Sequence, residues 1–264
     1  MIKDITFGQY YPGDSVFHKS DPRSKILITV ILMALIIIKS TFISYALILV
    51  LILTVIIFSK LKLSYIIKGV KPILFIAVFI FLLNIFLTVK TGKTLLSIWI
   101  IKITDDGVFS GIRLFTRLVL LITTASFMTY TTTPIVLTDG IEKLLKPLKK
   151  IKFPVHEMAM MMTIALRFIP TLMEETDKII KAQSSRGADF DSGGLLKRAK
   201  SFIPILIPLF ISAFRRADEL AIAMEARCYR GDIGRTKMNE LRFSKSDIKL
   251  SLSFILFVII WCMI

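Results

Sequence analysis

Arg186 and Arg227 stand in matching surroundings. Each closes a long segment that begins apolar and turns polar, and each has small neighbours: Ser184-Ser185-Arg186-Gly187 and Glu225-Ala226-Arg227-Cys228. The two arginines are 41 residues apart; aligned on them, Asp177 matches Asp218 nine positions upstream, and Ala182 matches Ala223. A guanidinium can form a paired hydrogen bond to a carboxylate or to backbone carbonyls, and small neighbours let it approach a facing surface closely. A single arginine at a helix end needs no such role, because a cation there complements the helix dipole by about 0.3–1 kcal/mol. Two alike tips on two alike segments imply two alike receptors. Asp177, Asp218, Glu219 and Glu225 are the acids that would support the tips.

Other constellations carry less. The methionines Met158, Met161 and Met162 fall on one helical face and by default are core; methionine also suits surfaces that slide or accept several partners. Pro170, Pro204 and Pro208 mark kinks, or hinges, inside the two segments. Glu174, Glu175 and Asp177, or Asp105 with Asp106, lack a facing histidine, so no metal site is expected. His18 and His156 are isolated and read as solvated loop residues rather than ligands. There is no phosphate-binding Gly-x-x-x-x-Gly-Lys loop, no Ser-His-Asp arrangement and no His-Glu-x-x-His. Cys228 and Cys262 have neither metal spacing nor an evident reason to pair.

The elements that must position the tips follow from composition. The 264 residues are 55% hydrophobic with a formal charge of +16 and a mean hydropathy of +0.73. Soluble domains rarely reach that level, and the apolar residues come in blocks long enough to enter a bilayer. The fold class expected is an all-α, polytopic helical membrane protein with about five spans. The positive charge fits the Lys and Arg excess of cytoplasmic loops; no aromatic-plus-basic platform suggests nucleic acid. The first twenty residues are polar, unlike a cleavable signal peptide.

Residues 1–25 form an N-terminal segment with turn chemistry at Tyr11-Pro12-Gly13-Asp14-Ser15. Asp21 caps a helix that starts at Pro22, and Arg23 and Lys25 mark this end as cytoplasmic. Residues 26–138 form a membrane domain of about four spans: 26–38 and 42–58 as a hairpin with Lys39 at its outer tip, 72–88 after a loop bearing Lys60, Lys62, Lys68 and Lys71, and 111–131. The stretch 90–111 lies outside, with 95–101 dipping into the interface, and Arg113 and Arg117 snorkel outward near the start of the fourth span. Between residues 26 and 138 the only acids are Asp105 and Asp106, whereas 139–249 holds 14 acids against 21 lysines and arginines. That change marks a coupling-helix domain over 139–247. It opens with a short amphipathic helix (139–149) whose lysines, 143 to 152, make a basic surface beside the membrane. A long helix follows, with Met158, Met161, Met162, Ala165, Phe168, Ile169, Leu172 and Met173 on one face and a stop at Gly187. After a loop, a second helix runs over 195–227 with Pro204 and Pro208 inside it. Residues 248–264 are the last span, which puts the C-terminus outside.

Three ordered motifs carry a resemblance across nearly the whole chain. Tyr11-Pro12-Gly13-Asp14-Ser15-Val16-Phe17-His18-Lys19-Ser20-Asp21-Pro22-Arg23-Ser24-Lys25, Ala165-Leu166-Arg167-Phe168-Ile169-Pro170 and Arg216-Ala217-Asp218-Glu219-Leu220-Ala221-Ile222-Ala223-Met224-Glu225-Ala226-Arg227 are similar to the signatures of the transmembrane T component of energy-coupling factor transporters, the EcfT/CbiQ family. The resemblance implies membrane helices plus long coupling helices whose Ala-Arg-Gly motifs dock in grooves of two ABC-type ATPase subunits. Here those motifs are Ser185-Arg186-Gly187 and Ala226-Arg227-Cys228, each differing from the pattern by one small residue. It further implies a membrane-embedded, substrate-binding S component for a vitamin or a nickel or cobalt ion, with Met158, Met161, Met162, Pro170, Pro204 and Pro208 as the face that meets it. ATP and Mg would sit on the partner ATPases, and this chain would hold no cofactor and catalyse nothing. The alternative is a conventional ABC-type permease subunit with its own substrate path, but doubled helix tips and spans poor in polar residues speak against it. An integral membrane enzyme would need paired acids or histidines at a membrane face.

Overall fold

The structure is a computed structural model that describes residues 10–87, 94–98, 101–188, 190, 194, 196, 200–231, 241 and 243–263. It divides into two units: one takes in the described residues of Gly8–Lys143 and Glu240–Ile264, the other those of Leu144–Asn239.

The first unit begins with α1 (Val16–Lys19), capped by Ser15, and α2 (Pro22–Ile38), capped by Asp21. His18 is no solvated loop residue. Its Nε2 lies 3.0 Å from the Tyr11 carbonyl, which can only accept, so Nε2 carries the proton. Nδ1, 2.7 Å from the Ser15 hydroxyl, then accepts from it. Burial lowers the pKa of His18 and favours this neutral form. Arg23 and Lys25 are likewise bound. Arg23 pairs with Asp21 at 2.6 Å and stacks on Phe243, 4.2 Å from the ring centroid. Lys25 is buried and donates to the carbonyls of His18 and Thr131 and to the Thr132 hydroxyl, each at 3.2–3.3 Å.

The spans follow. α3 is Phe42–Ser59 and α4 is Leu63–Leu87, so the third helix starts nine residues before the expected 72 and takes Lys68 and Lys71 into its first turns. Pro72 is tolerated inside it, which in a membrane requires neighbouring groups to satisfy the freed carbonyl. β1 (Thr94–Ile98) and β2 (Ile101–Thr104) pair antiparallel, with Ser97 opposite Lys102, where the sequence suggested an interfacial dip. Pairing satisfies the backbone groups that a dip would leave open; residues 88–93, 99 and 100 lie outside the described residues. α5 (Asp105–Thr131) starts six residues earlier than expected, because Thr104 caps it and Asp105 and Asp106 in its first turn complement the helix dipole. Arg117 is therefore about 18 Å along the helix, not at its start. It does not snorkel freely: it donates to the Tyr45 hydroxyl at 3.0 Å and to the Ile37 carbonyl, tying α5 to the tip of the α2–α3 hairpin. α6 is Pro134–Leu145, followed by a 3₁₀ helix, Lys146–Ile151, rather than one helix over 139–149. Pro147 lacks the N–H that an α-helix would use and disfavours helical backbone at Lys146.

The last helix of this unit, α9 (Lys245–Met263), is tied back to α2. Buried Asp247 accepts the backbone N–H of Asp21 at 2.8 Å and of Ser244 at 2.7 Å. The core between the helices gathers Leu35, Ile36, Ile48, Leu120, Phe254 and Trp261. Among the described residues, four helices are long and apolar enough to cross a membrane: α3, the Gly69–Phe86 part of α4, α5 and α9. α2, at 17 residues, is about 25 Å long and spans most of a ~30 Å core. The fold is thus that of an all-α polytopic membrane protein with about five spans, plus a small hairpin.

Gly69 of α4 lies against the Tyr130 side chain of α5. A Cβ there would clash with the Tyr130 hydroxyl, which donates to the Tyr65 carbonyl. Gly69→Ala is expected to destabilise the protein by about 1–2 kcal/mol through overpacking. In a Tyr130→Phe background the same change should cost nothing or stabilise, because alanine is the better helix former by about 1 kcal/mol. Thermal unfolding of the four proteins in detergent reads the coupling.

In the second unit, α7 is Val155–Ser185 and α8 is Ile203–Ala226. α7 runs unbroken through Pro170. α8 proper starts at Ile203. Before it the backbone is helical at Leu196, Lys200 and Ser201 and breaks at Phe202, so the expected helix from 195 is interrupted there; positions 195 and 197–199 lie outside the described residues. Pro204 therefore sits in the first turn of α8, where its missing N–H costs nothing, and only Pro208 is inside the helix.

Candidate functional site: paired helices with matched arginine tips

α7 and α8 are antiparallel. Gln183 near the end of α7 donates to the carbonyl of Pro204 at the start of α8, and Tyr229 just past α8 reaches His156 in the first turn of α7, 3.5 Å away. His156 is buried here rather than solvated. Between the helices, Ile164, Phe168 and Leu172 of α7 face Ala213, Ala217 and Ala221 of α8 around a cavity of about 240 Å³. Both rows have four-residue spacing, large on one helix and small on the other, which is ridge-into-groove packing.

The helices cross at an ion pair, Arg216 Nη2 to Glu175 Oε2 at 3.0 Å. These two residues are themselves 41 apart, the offset that relates Arg186 to Arg227. Equivalent positions of the two helices therefore meet at the crossing, as they do at a twofold axis. Arg186 and Arg227 each lie 11 residues beyond it, about 16 Å along their own helix and in opposite directions. The two tips stand at opposite ends of the pair.

Their backbones are alike. Arg186 caps α7 at φ −89°, ψ 9°, and Arg227 caps α8 at φ −91°, ψ 15°. Gly187 and Cys228 follow in the left-handed region, at φ 85° and 56°. Gly187 N–H donates to Ser184 and Ala188 N–H to Gln183; Cys228 N–H donates to Glu225 and Tyr229 N–H to Met224, at 2.9–3.0 Å. Both ends are Schellman caps. The cap turns the chain away immediately after the arginine, so each guanidinium projects from a helix end. Ser185, Arg186 and Gly187 are exposed, and so are Ala226, Arg227 and Cys228. Asp218, Glu219 and Glu225 are also exposed, and Asp177 is half-buried.

Cys228 holds a conformation that favours glycine. Cβ crowding in the left-handed region costs about 1–2 kcal/mol. Cys228→Gly is expected to stabilise the α8 cap by about 1 kcal/mol, after allowing for the extra freedom of unfolded glycine. Slower amide exchange at Cys228 and Tyr229 checks this. Gly187→Ala should shift exchange at Gly187 and Ala188 the other way.

Met158, Met161 and Met162 are 40%, 59% and 44% exposed, so they are surface and not core; Pro170, Pro204 and Pro208 are exposed as well. A second apolar surface was not singled out from the sequence: Leu206, Ile207, Phe210, Ile211 and Phe214 on α8 are 51–64% exposed. Their three- and four-residue spacing was the available signal. Among the described residues, no three His, Cys, Asp or Glu side chains gather where they could hold a metal ion. Both cysteines are free.

Fold and site together define a polytopic membrane protein that carries a paired-helix unit with two matched cationic tips. The sequence from 13 to 238 matches the family model CbiQ, described as cobalt transport protein. The "Energy-coupling factor transporter transmembrane protein EcfT" of Ruminiclostridium cellulolyticum is 60% identical over 248 residues, 94% of this chain and 92% of the relative. The protein of the same name from Clostridium kluyveri is 55% identical over 98% of this chain and 96% of its own length. That of Bacillus subtilis is 46% identical over 97% and 96%. The chain belongs to this CbiQ/EcfT family of energy-coupling transmembrane components.

Proposed function

We propose that this chain transmits ATP-driven movement of two ABC-type ATPase subunits to a membrane-embedded S component that binds a vitamin or a transition-metal ion. The observation that carries the reading is the pseudo-twofold arrangement of Arg186 and Arg227. Two identical or similar ATPases form a twofold pair, and two like tips at opposite ends of an antiparallel helix pair fit such a dimer. Ser185-Arg186-Gly187 docks in one groove and Ala226-Arg227-Cys228 in the other, with Asp177, Asp218, Glu219 and Glu225 supporting the tips. ATP and Mg are held by the ATPases; this chain is non-catalytic. The exposed face of Met158, Met161 and Met162, with Pro170, Pro204 and Pro208, meets the S component.

When the ATPase dimer closes on ATP, its grooves approach one another and carry the tips with them. α7 and α8 then pivot at Glu175–Arg216, and their exposed apolar halves slide against the S component in a shear-type movement. The N-terminus is cytoplasmic and the C-terminus outside. Residues 26–138 and 248–264 serve as the membrane part and 139–247 as the coupling part.

The test is a detergent pull-down of the tagged chain from its native membrane. Two ATPase chains and one small membrane protein are expected at equal stoichiometry. Recovery of the chain without any ATPase would return the arginines to helix caps.

A further inference from the structure

We propose that the turn at the root of α7, residues 146–153, is a docking surface for anionic lipid headgroups. The turn is a built element. In the 3₁₀ helix Lys146–Ile151, residues three apart lie one above the other, which places Leu148 and Ile151 on one side. Lys152 closes it in the left-handed region at φ 61°. Lys152 N–H donates to the Lys149 carbonyl at 3.0 Å and Phe153 N–H to Leu148 at 3.4 Å; Val155 N–H then donates to Phe153 and leads into α7.

This turn exposes two kinds of side chain together. Lys146, Lys150 and Lys152 are exposed cations, and no acid occurs between Glu142 and Glu157. Beside them Leu148, Ile151 and Phe153 are 37%, 80% and 40% exposed. A large aliphatic side chain four-fifths exposed, on a fixed turn flanked by ammonium groups, matches the boundary of a charged bilayer. Ile151, Leu148 and Phe153 enter the acyl edge, and the lysines meet headgroup phosphates. Nucleic acid would satisfy the lysines and leave the three apolar side chains in water. The chain carries helices long and apolar enough to cross a bilayer, so lipid is among its surroundings. Docking there pins the base of α7, and lipid charge then sets how freely that helix moves. This last consequence rests on the coupling role proposed above; the lipid contact itself does not.

The test uses the full chain in lipid nanodiscs. Ile151→Cys, in a Cys228→Ser/Cys262→Ser background, carries an environment-sensitive dye, and brominated lipid reports its depth. Quenching is expected to be stronger with phosphatidylglycerol present than in phosphatidylcholine alone, and to weaken with salt. In Lys146→Gln/Lys150→Gln/Lys152→Gln that dependence on lipid charge should vanish, each lysine contributing about fivefold to the partition between bound and free. These lysines are exposed, so the triple variant should keep the wild-type size-exclusion profile. A second readout is native mass spectrometry of the unlabelled protein, in which the triple variant should retain less phosphatidylglycerol. Equal quenching in both lipids, an unchanged triple variant, or a dye that responds to an oligonucleotide and not to lipid charge would each overturn the proposal.

Discussion

Reversing both tip charges, Arg186→Glu with Arg227→Glu, is expected to abolish co-purification of the ATPases and the ATP hydrolysis coupled to transport. The size of the effect follows from the chemistry of a docked guanidinium. Removing one partner of a buried, hydrogen-bonded charge pair costs about 2–5 kcal/mol, roughly 30-fold to several thousand-fold in affinity. Reversal adds repulsion from whatever acid or carbonyl array receives it. Each single variant should keep both ATPases at reduced occupancy, because the intact tip holds the dimer and gives the weakened one a high effective concentration. The double variant has no such anchor. The helix caps themselves should survive, since the Schellman hydrogen bonds at both ends are made by backbone atoms; a carboxylate at a helix C-terminus disturbs the dipole by only about 0.3–1 kcal/mol each. Unfolding temperature in detergent is therefore expected to change little while coupling is lost. A double variant that retains two ATPases and coupled hydrolysis would sink the docking role.

Asp247→Ala is expected to give the largest loss of stability, about 3–4 kcal/mol. Asp247 is 1% exposed, and its two oxygens accept the N–H groups of Asp21 and Ser244. Truncation removes two hydrogen bonds to a charged acceptor, worth about 1.5–3 kcal/mol each at most, and leaves the buried Asp21 N–H unpaired, while the part-buried Ser244 N–H can turn to water. It also removes the link between α9 and the cap of α2. Asp247→Asn keeps one accepting oxygen and should recover less than half of the loss. Trp261 lies buried in α9, so its fluorescence in a melt reports separation of that helix from the core. Acid acts on the same junction. Burial pushes the Asp21 carboxyl up, but the Arg23 side chain and backbone N–H outweigh it, and the native pKa is lowered. A lowered carboxylate pKa adds stability that is present above the unfolded value of about 3.9 and drains as pH falls through the native one. The junction should hold at pH 5 and loosen as pH falls from about 3.9 through the lower native value.

Much of this was legible in local sequence. Asp21-Pro22 announces a helix start because cap and first-turn preferences act within three residues. Gly187 marks a helix end for the same reason. Where partners came from elsewhere in the chain, local reading fell short. Arg23 and Lys25 serve as orientation cues by type, but in the structure one is paired and stacked and the other is buried among carbonyls. His18 and His156 look solitary because Tyr11, Ser15 and Tyr229 acquire meaning only once the chain brings them close. The helix start at Leu63 escapes a hydropathy reading because Lys68, Gly69 and Lys71 interrupt the first turns, and that at Asp105 because Asp105, Asp106 and Gly107 precede the apolar run.

The sequence by itself determined the class of protein and the two arginine tips. Blocks of apolar residues impose membrane helices wherever they occur, and the 41-residue offset with its small-Arg-small endings is written in the residue order. Only the tertiary structure decided how the tips are disposed. The offset is equally compatible with helices whose polar halves lie side by side, and local periodicity does not choose. Packing chooses: Ile164, Phe168 and Leu172 fit the alanine row of α8 in the antiparallel sense, and Glu175 then meets its own counterpart, Arg216. That register sends Arg186 and Arg227 in opposite directions, because each must follow its own helix away from the crossing.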